Sequence, residues 1–178
     1  MALLAEELVE EWLNRQGYFT IRGIKLGVDE IDLLATRFLK DGSVEYRHIE
    51  VQASMRPVSY ISRISKIHLE EGQAPTSAKT RGTEILLQGV KEWVEKKFTK
   101  PKKEKVIQAL CPQKWSSELV INNVKSDEEV DLIRAQGIKV TELSSIIREL
   151  SEEDFLLQSA SGADFVDLVN MGARVAGR

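Results

Sequence analysis

Two runs decide how this chain is read: Gly27-Val28-Asp29-Glu30-Ile31-Asp32-Leu33-Leu34-Ala35 and, after a polar turn, His48-Ile49-Glu50-Val51-Gln52. Successive side chains of a strand point to opposite faces. Glu30 and Asp32 therefore share one face, and Ile31, Leu33 and Ala35 the other. Likewise His48, Glu50 and Gln52 share a face, with Ile49, Val51 and Ala53 opposite. Between the runs, Lys40-Asp41-Gly42-Ser43 carries Asp-Gly, a strong hairpin signal. A hairpin sets the strands side by side, and one register brings Asp32 and Glu50 together on one face.

Two carboxylates held close among apolar neighbours repel each other, so one has its pKa raised or the fold is destabilised. A divalent cation relieves the conflict, and hard oxygen ligands suit Mg2+ or Mn2+. Such an ion binds a phosphate oxygen and generates a hydroxide nucleophile. The same alternation also describes acids that face solvent on a one-sided sheet.

Upstream of these runs, residues 2 to 16 have the spacing of an amphipathic helix, with Leu4, Leu8 and Trp12 four apart and Gly17 as a stop. Residues 18 to 26 read as a first strand, 30 to 38 as a second and 44 to 53 as a third, which Arg56-Pro57 ends. Downstream, Ile61, Ile64, Ile67 and Leu69 suit a short helix, and 72 to 82 a loop. Residues 84 to 98 read as a helix, Lys100 to Lys103 as a linker and 105 to 110 as a strand. Leu119-Val120-Ile121 suits another short strand. Ser126 followed by Glu129 is a capping-box pattern opening a helix over 127 to 136. A strand over 138 to 143 and a helix over 144 to 150 follow. Antiparallel strands first, then strands alternating with helices, give a mixed α/β sheet with helices on both faces.

The 178 residues suit one domain, read as 1–150, with 151–178 as an extension of unknown role that includes a helix over 164 to 171. The start becomes acidic at once and lacks the pattern of a signal peptide, and no long apolar run suggests a membrane span, so a cytoplasmic location is expected. The single cysteine, Cys111, reads as buried packing. Net charge is −3, but it is unevenly spread. Residues 118 to 178 hold 6 Lys+Arg and 12 Asp+Glu, while Lys91 to Lys105 holds 7 lysines and 3 glutamates. That patch is compatible with phosphate contact, but taken alone it reads first as a solvated helix end and loop. Two histidines and one cysteine make no zinc spacing. A Gly-rich phosphate loop, a nucleophile elbow and a kinase motif are all missing.

The order Glu6 … Gly17-Tyr18 … Gly27-Val28-Asp29-Glu30-Ile31-Asp32-Leu33-Leu34-Ala35 … Ile49-Glu50-Val51-Gln52 resembles the PD-(D/E)xK nuclease superfamily. It is most similar to the small branch related to Holliday-junction resolvases, and the likeness covers roughly residues 3 to 54. The resemblance implies a restriction endonuclease-like α/β fold, built on a helix and a three-stranded meander with flanking helices. It implies a Mg2+-dependent (or Mn2+-dependent) DNA endonuclease, often a homodimer. The alternative is an inactive DNA-binding or protein-interaction module that keeps the fold. Asp32 would be the central metal ligand, Glu50 the second carboxylate, and the Val51 carbonyl a further ligand. Glu6 would help hold metal or water, with Glu7 as the alternative one residue on. Glu30 and His48 are accessory candidates.

Gln52 departs from the pattern, because lysine usually stands there to orient the attacking water and offset transition-state charge. Glutamine can hydrogen-bond that water but supplies no positive charge. Lys66, Lys79 and Arg81 are candidates to supply the missing cation. Arg56, Arg63, Lys66, Lys79 and Arg81 are candidate DNA contacts, and Tyr60 falls at helix-like spacing with Arg63 and Lys66.

Overall fold

The computed structural model describes residues 2–69, 73–152, 164, 166 and 167. Helix α1 (Ala2–Arg15) precedes three antiparallel strands, β1 (Phe19–Leu26), β2 (Asp29–Phe38) and β3 (Val44–Val58). Helix α2 (Thr83–Val94), a π-helical turn (Glu95–Thr99) and helix α3 (Pro101–Leu110) then cross over to β4 (Ser116–Val124), which pairs parallel to β3. Helix α4 (Asp127–Ala135) leads to β5 (Lys139–Glu142), parallel to β4, and α5 (Leu143–Glu152) follows. The five strands lie in chain order, β1-β2-β3-β4-β5. This is the mixed α/β sheet with flanking helices that the sequence implies.

Each face of the sheet has its own core. On one, Leu8, Val9, Trp12 and Leu13 of α1 and Ile146 of α5 pack on Leu33, Ala35, Ile49, Val51 and Val120. On the other, Val90, Trp93, Phe98, Val130 and Ile133 cover Leu119 and Ile121. Burial on both sides explains why β4 is a continuous apolar run at its centre. Among the described residues no helix is long and apolar enough to cross a membrane.

Several elements differ from their sequence reading. Residues 105 to 110 belong to helix α3, not a strand, because Pro101 stands in the first turn, where its fixed φ and missing N–H suit a helix start. Lys103 and Ile107, four residues apart, form the buried face of α3. Strand β3 passes through Arg56-Pro57 to Val58, with its register shifting between Ala53 and Val58, where a missing N–H is tolerated. Over 59 to 82 only Lys66–His68 is helical, as a single 3₁₀ turn; Ile61 and Ile64 are buried but Ile67 is exposed.

Ile31 packs with Leu34 and Ile107, whereas Leu33 and Ala35 pack against α1, so these three residues do not share a face. The slip falls beside Gly23, which takes a positive φ of 69° in β1 between the pairs Arg22↔Leu33 and Ile24↔Ile31. Cys111 is half-buried rather than enclosed. The helix expected over 164 to 171 and most of 151–178 fall outside the described residues, although Val166 is buried in the α1 core.

The capping box at α4 is half made. Ser126 Oγ accepts from the Glu129 N–H at 3.2 Å, but the Glu129 side chain turns elsewhere. Its carboxylate is fully buried and accepts from Ile61 N (2.6 Å), Ser62 N (2.8 Å) and Ser62 Oγ (2.5 Å). It thereby ties the start of the 59–82 segment to α4.

Candidate active site

The β2–β3 ladder runs from Phe38↔Val44 to Leu33↔Ile49 and then stops. One step further, its register sets Asp32 against Glu50. Where the strands part, Asp32 Oδ2 accepts the Val51 N–H at 2.8 Å, a backbone donor that would otherwise need a new partner. Asp32 and Glu50 are 8% and 1% exposed.

Glu50 is surrounded by donors. Lys97 Nζ approaches Oε2 at 2.7 Å, Lys103 Nζ approaches Oε1 at 2.5 Å, and His48 Nε2 lies 3.1 Å from Oε1. The His48 ring is held against Phe98 with centroids 5.0 Å apart. Lys103 is 2% exposed, and its ammonium also donates to the Lys97 carbonyl at 2.9 Å. Burial works to raise the Glu50 pKa, but the His48 hydrogen bond and the two ammoniums outweigh it and hold it below the usual carboxylate value. Burial likewise works against the Lys97 ammonium, yet Glu50 and Asp32 hold its pKa above that of ordinary lysine.

Asp32 is in the opposite condition. Burial and then the Glu50 charge push its pKa up to about 7, with Glu6 adding to the rise and Lys97 and the Val51 N–H opposing it. Glu6, buried on α1, is also raised, by burial and then by Glu30. Glu7 is exposed and pairs with Arg22 at 3.3 Å, so Glu6 is the α1 acid that belongs to this cluster.

The raised Asp32 pKa has a measurable consequence. Between pH 3.8 and about 7 the folded chain keeps a proton that the unfolded chain has released, so stability falls as pH rises through that window. The full penalty, on the order of 4 kcal/mol at about 1.4 kcal/mol per tenfold change in proton affinity, is present above pH 7. Asp32→Asn is therefore expected to raise the unfolding midpoint of metal-free protein at pH 8, with the gain shrinking toward pH 4. Equal or lower stability at pH 8 would contradict a buried Asp32 charge whose partners do not offset its burial.

Gln52 is exposed and faces an open groove of about 290 Å³, which Arg63, Lys96 and Lys97 also line. Close packing of α2 on the 59–82 segment shapes this groove, since a Cβ at Gly89 would come within 2.6 Å of the Arg63 carbonyl. The cations beside the carboxylates are Lys97 and Lys103, not Lys66, Lys79 or Arg81. Lys66 and Lys79 are exposed. Arg81 is buried over the Tyr60 ring, 4.0 Å from its centroid, and donates to the Ser62 and Ser77 carbonyls at 3.0 Å each. Arg81 and Tyr60 thus brace the segment and do not present charge to a ligand. Arg56 is exposed on β3, and Glu30 is exposed on β2.

The sequence reading placed the lysines of 91 to 105 in a solvated patch. A local signal existed for Lys103, which lies four residues before Ile107 behind a helix-starting proline. None existed for Lys97, whose position depends on the π turn that ends α2.

No protein-family model matches this chain, and no curated protein matches it. Among solved structures it is similar to a protein of unknown function, AF1548, at 18% identity with a TM-score of 0.44. The similarity covers 81% of this chain and 59% of that one, so this chain spans under two thirds of that protein's length.

The residues suit a hard divalent cation in a limited sense. Among the described residues, no three His, Cys, Asp or Glu side chains converge into a ready-made cage. Mg2+ does not require one, because it commonly binds one or two carboxylates and fills its remaining positions with water and phosphate. The charge of Asp32, opposed by Glu50 and Glu6 and only partly offset by Lys97 and the Val51 N–H, is what such an ion would neutralise.

Proposed function

We propose that this chain is a metal-dependent DNA endonuclease with a PD-(D/E)xK-type site, in which Lys97 serves where Gln52 departs from the motif. The observation that carries the reading is the convergence of three groups at the parting of β2 and β3. Asp32 and Glu50 are both buried just past the last β2–β3 pair, Leu33↔Ile49, close enough that the Glu50 charge raises the Asp32 pKa, and the Lys97 ammonium stands 2.7 Å from Glu50. Asp32 and Glu50 would hold Mg2+ or Mn2+, with Glu6, whose charge acts on Asp32, and the Val51 carbonyl as further candidate ligands. The bound ion would supply Lewis acidity toward a phosphate oxygen and a nucleophile from water.

The chain's own residues supply the rest. Lys97 offers positive charge to a phosphate that is becoming more negative, the contribution Gln52 cannot make. Lys103, buried and fixed to Glu50 and to the Lys97 backbone, orients that carboxylate and the π turn. His48 holds the other side of Glu50 Oε1. Gln52 is free to hydrogen-bond water or substrate at the groove. The reading carries with it DNA as the partner, a cytoplasmic location, and a homodimer if both strands of a duplex are cut.

One observation favours a second reading, a DNA-binding module without catalysis. Both Glu50 oxygens already have ammonium partners, so a metal must compete with Lys97 for Oε2. Cleavage of supercoiled, linear, single-stranded and four-way-junction DNA in Mg2+ or Mn2+ separates the two. Wild type is expected to cut at least one substrate only with metal, and Asp32→Ala to lose that cutting. Folded wild type that binds DNA but cuts none of them would leave the binding module.

A further inference from the structure

We infer that the groove beside the carboxylates is a slot for an unpaired nucleobase, so that the substrate carries a single-stranded nucleotide next to the scissile phosphodiester. This deepens the nuclease reading and rests on it for the location of that phosphodiester.

The groove opens directly from the site, because Lys97 lines it and also binds Glu50. Its composition divides into three parts. Trp93 and Ile61, both 8% exposed, give it an apolar floor. Arg63 and Lys96 are exposed at its rim and Gln52 brings an amide to its side. The groove's carboxylate, Glu92, keeps its negative charge, with Ser65 Oγ (2.6 Å) and Gln88 Nε2 (3.0 Å) both donating to Oε1, and it is outnumbered on the lining by Arg63, Lys96 and Lys97. A track for the backbone of an intact duplex needs only the cations, since phosphate contacts carry no requirement for apolar surface. An aromatic and aliphatic floor is useful to a flat ring whose face is free, and in a paired duplex the base faces are covered by their neighbours. Base-on-aromatic stacking combined with a cationic track is the usual chemistry of single-strand binding. The amide of Gln52 both donates and accepts, which suits the edge of a base that has lost its partner. At about 290 Å³ the space falls just below the range for ligand pockets, roughly 300–1,000 Å³, as fits one ring system.

Full-length protein in EDTA is mixed with a short oligonucleotide carrying 5-iodouracil, either single-stranded or annealed to its complement. Affinity is measured, and the complexes are irradiated and mapped by mass spectrometry. The single strand is expected to bind about tenfold more tightly than the duplex. It is expected to cross-link to the peptide containing Trp93, and annealing to abolish the cross-link. Trp93→Leu should lose the cross-link. Because that change touches the core, Lys96→Glu at the exposed rim is tested in parallel and should weaken single-strand binding in protein that still folds. Duplex binding as tight as single-strand binding, or cross-links only outside the groove, would overturn the slot. The assay needs no cleavage. A retained cross-link in a chain that cuts nothing would sink the nuclease reading and leave the slot, and cutting with duplex-only binding would do the reverse.

Discussion

Lys97→Ala is expected to slow metal-dependent DNA cleavage by about 100- to 1,000-fold, the cost typical of removing one preorganised donor to a developing charge. The loss should fall mainly on kcat, because the ammonium is placed at the carboxylates and not along the outer rim. The fold should persist, since the Lys97 side chain is 27% exposed and Glu50 retains Lys103 and His48 as partners. Gln52 and Lys97 line the same groove, so adding Gln52→Lys to the Lys97→Ala variant should recover part of the rate. In the wild-type background Gln52→Lys should change little, because the charge is already present. A Lys97→Ala variant with unchanged kcat and a raised KM would make Lys97 a binding group only. Absence of rescue would mean that the lysine of the motif and the lysine of the π turn do not address the same phosphate.

Glu129→Ala is expected to cost about 2–5 kcal/mol of stability, among the largest effects of any single change in this chain. The substitution strands two buried backbone N–H groups, Ile61 and Ser62, and each such orphan costs roughly 1–3 kcal/mol. It also removes the Ser62 Oγ partner and a hydrogen-bonded tie from α4 to the start of the 59–82 segment. Glu129→Gln should recover part of the loss, because its amide oxygen still accepts. Urea denaturation would read both, and DNA binding by the groove should weaken with them because Arg63 rides on the anchored segment. A midpoint within experimental error of wild type would show that the segment is held by its other contacts, such as Ser65 to Glu92 and the buried Ile61, without Glu129.

Much of the first half was legible because local rules act there without help. The Asp-Gly turn and the alternation of acid and apolar residues are enough to pair β2 with β3 as far as Leu33 and Ile49 and so to bring Asp32 and Glu50 to the same end of that ladder. The face assignment of β3 also follows, since Ile49, Val51 and Ala53 do pack on α1. The same alternation failed for Ile31, because the β1–β2 ladder is interrupted at the positive-φ Gly23 and Ile31 packs with Ile107 of α3. Alternation is a statement about ideal strands, and the site is where the sheet stops being ideal.

From the sequence by itself came the hairpin, the two acids, the helix caps and the departure at Gln52, all of which depend on neighbours within a few residues. Tertiary structure alone decided what stands around those acids. Lys97 and Lys103 are 47 and 53 residues from Glu50 along the chain, and reach it because a crossover helix, a π turn and a proline-started helix return over the middle of β3. The same is true of Glu129, whose position predicts half of a capping box but whose carboxylate crosses 68 residues to Ile61. A lysine in a basic run and a glutamate in a helix's first turn satisfy local chemistry equally well in water or in a buried pair. Only packing chooses between them, because the cost of burying a charge is met by partners that sequence proximity does not supply.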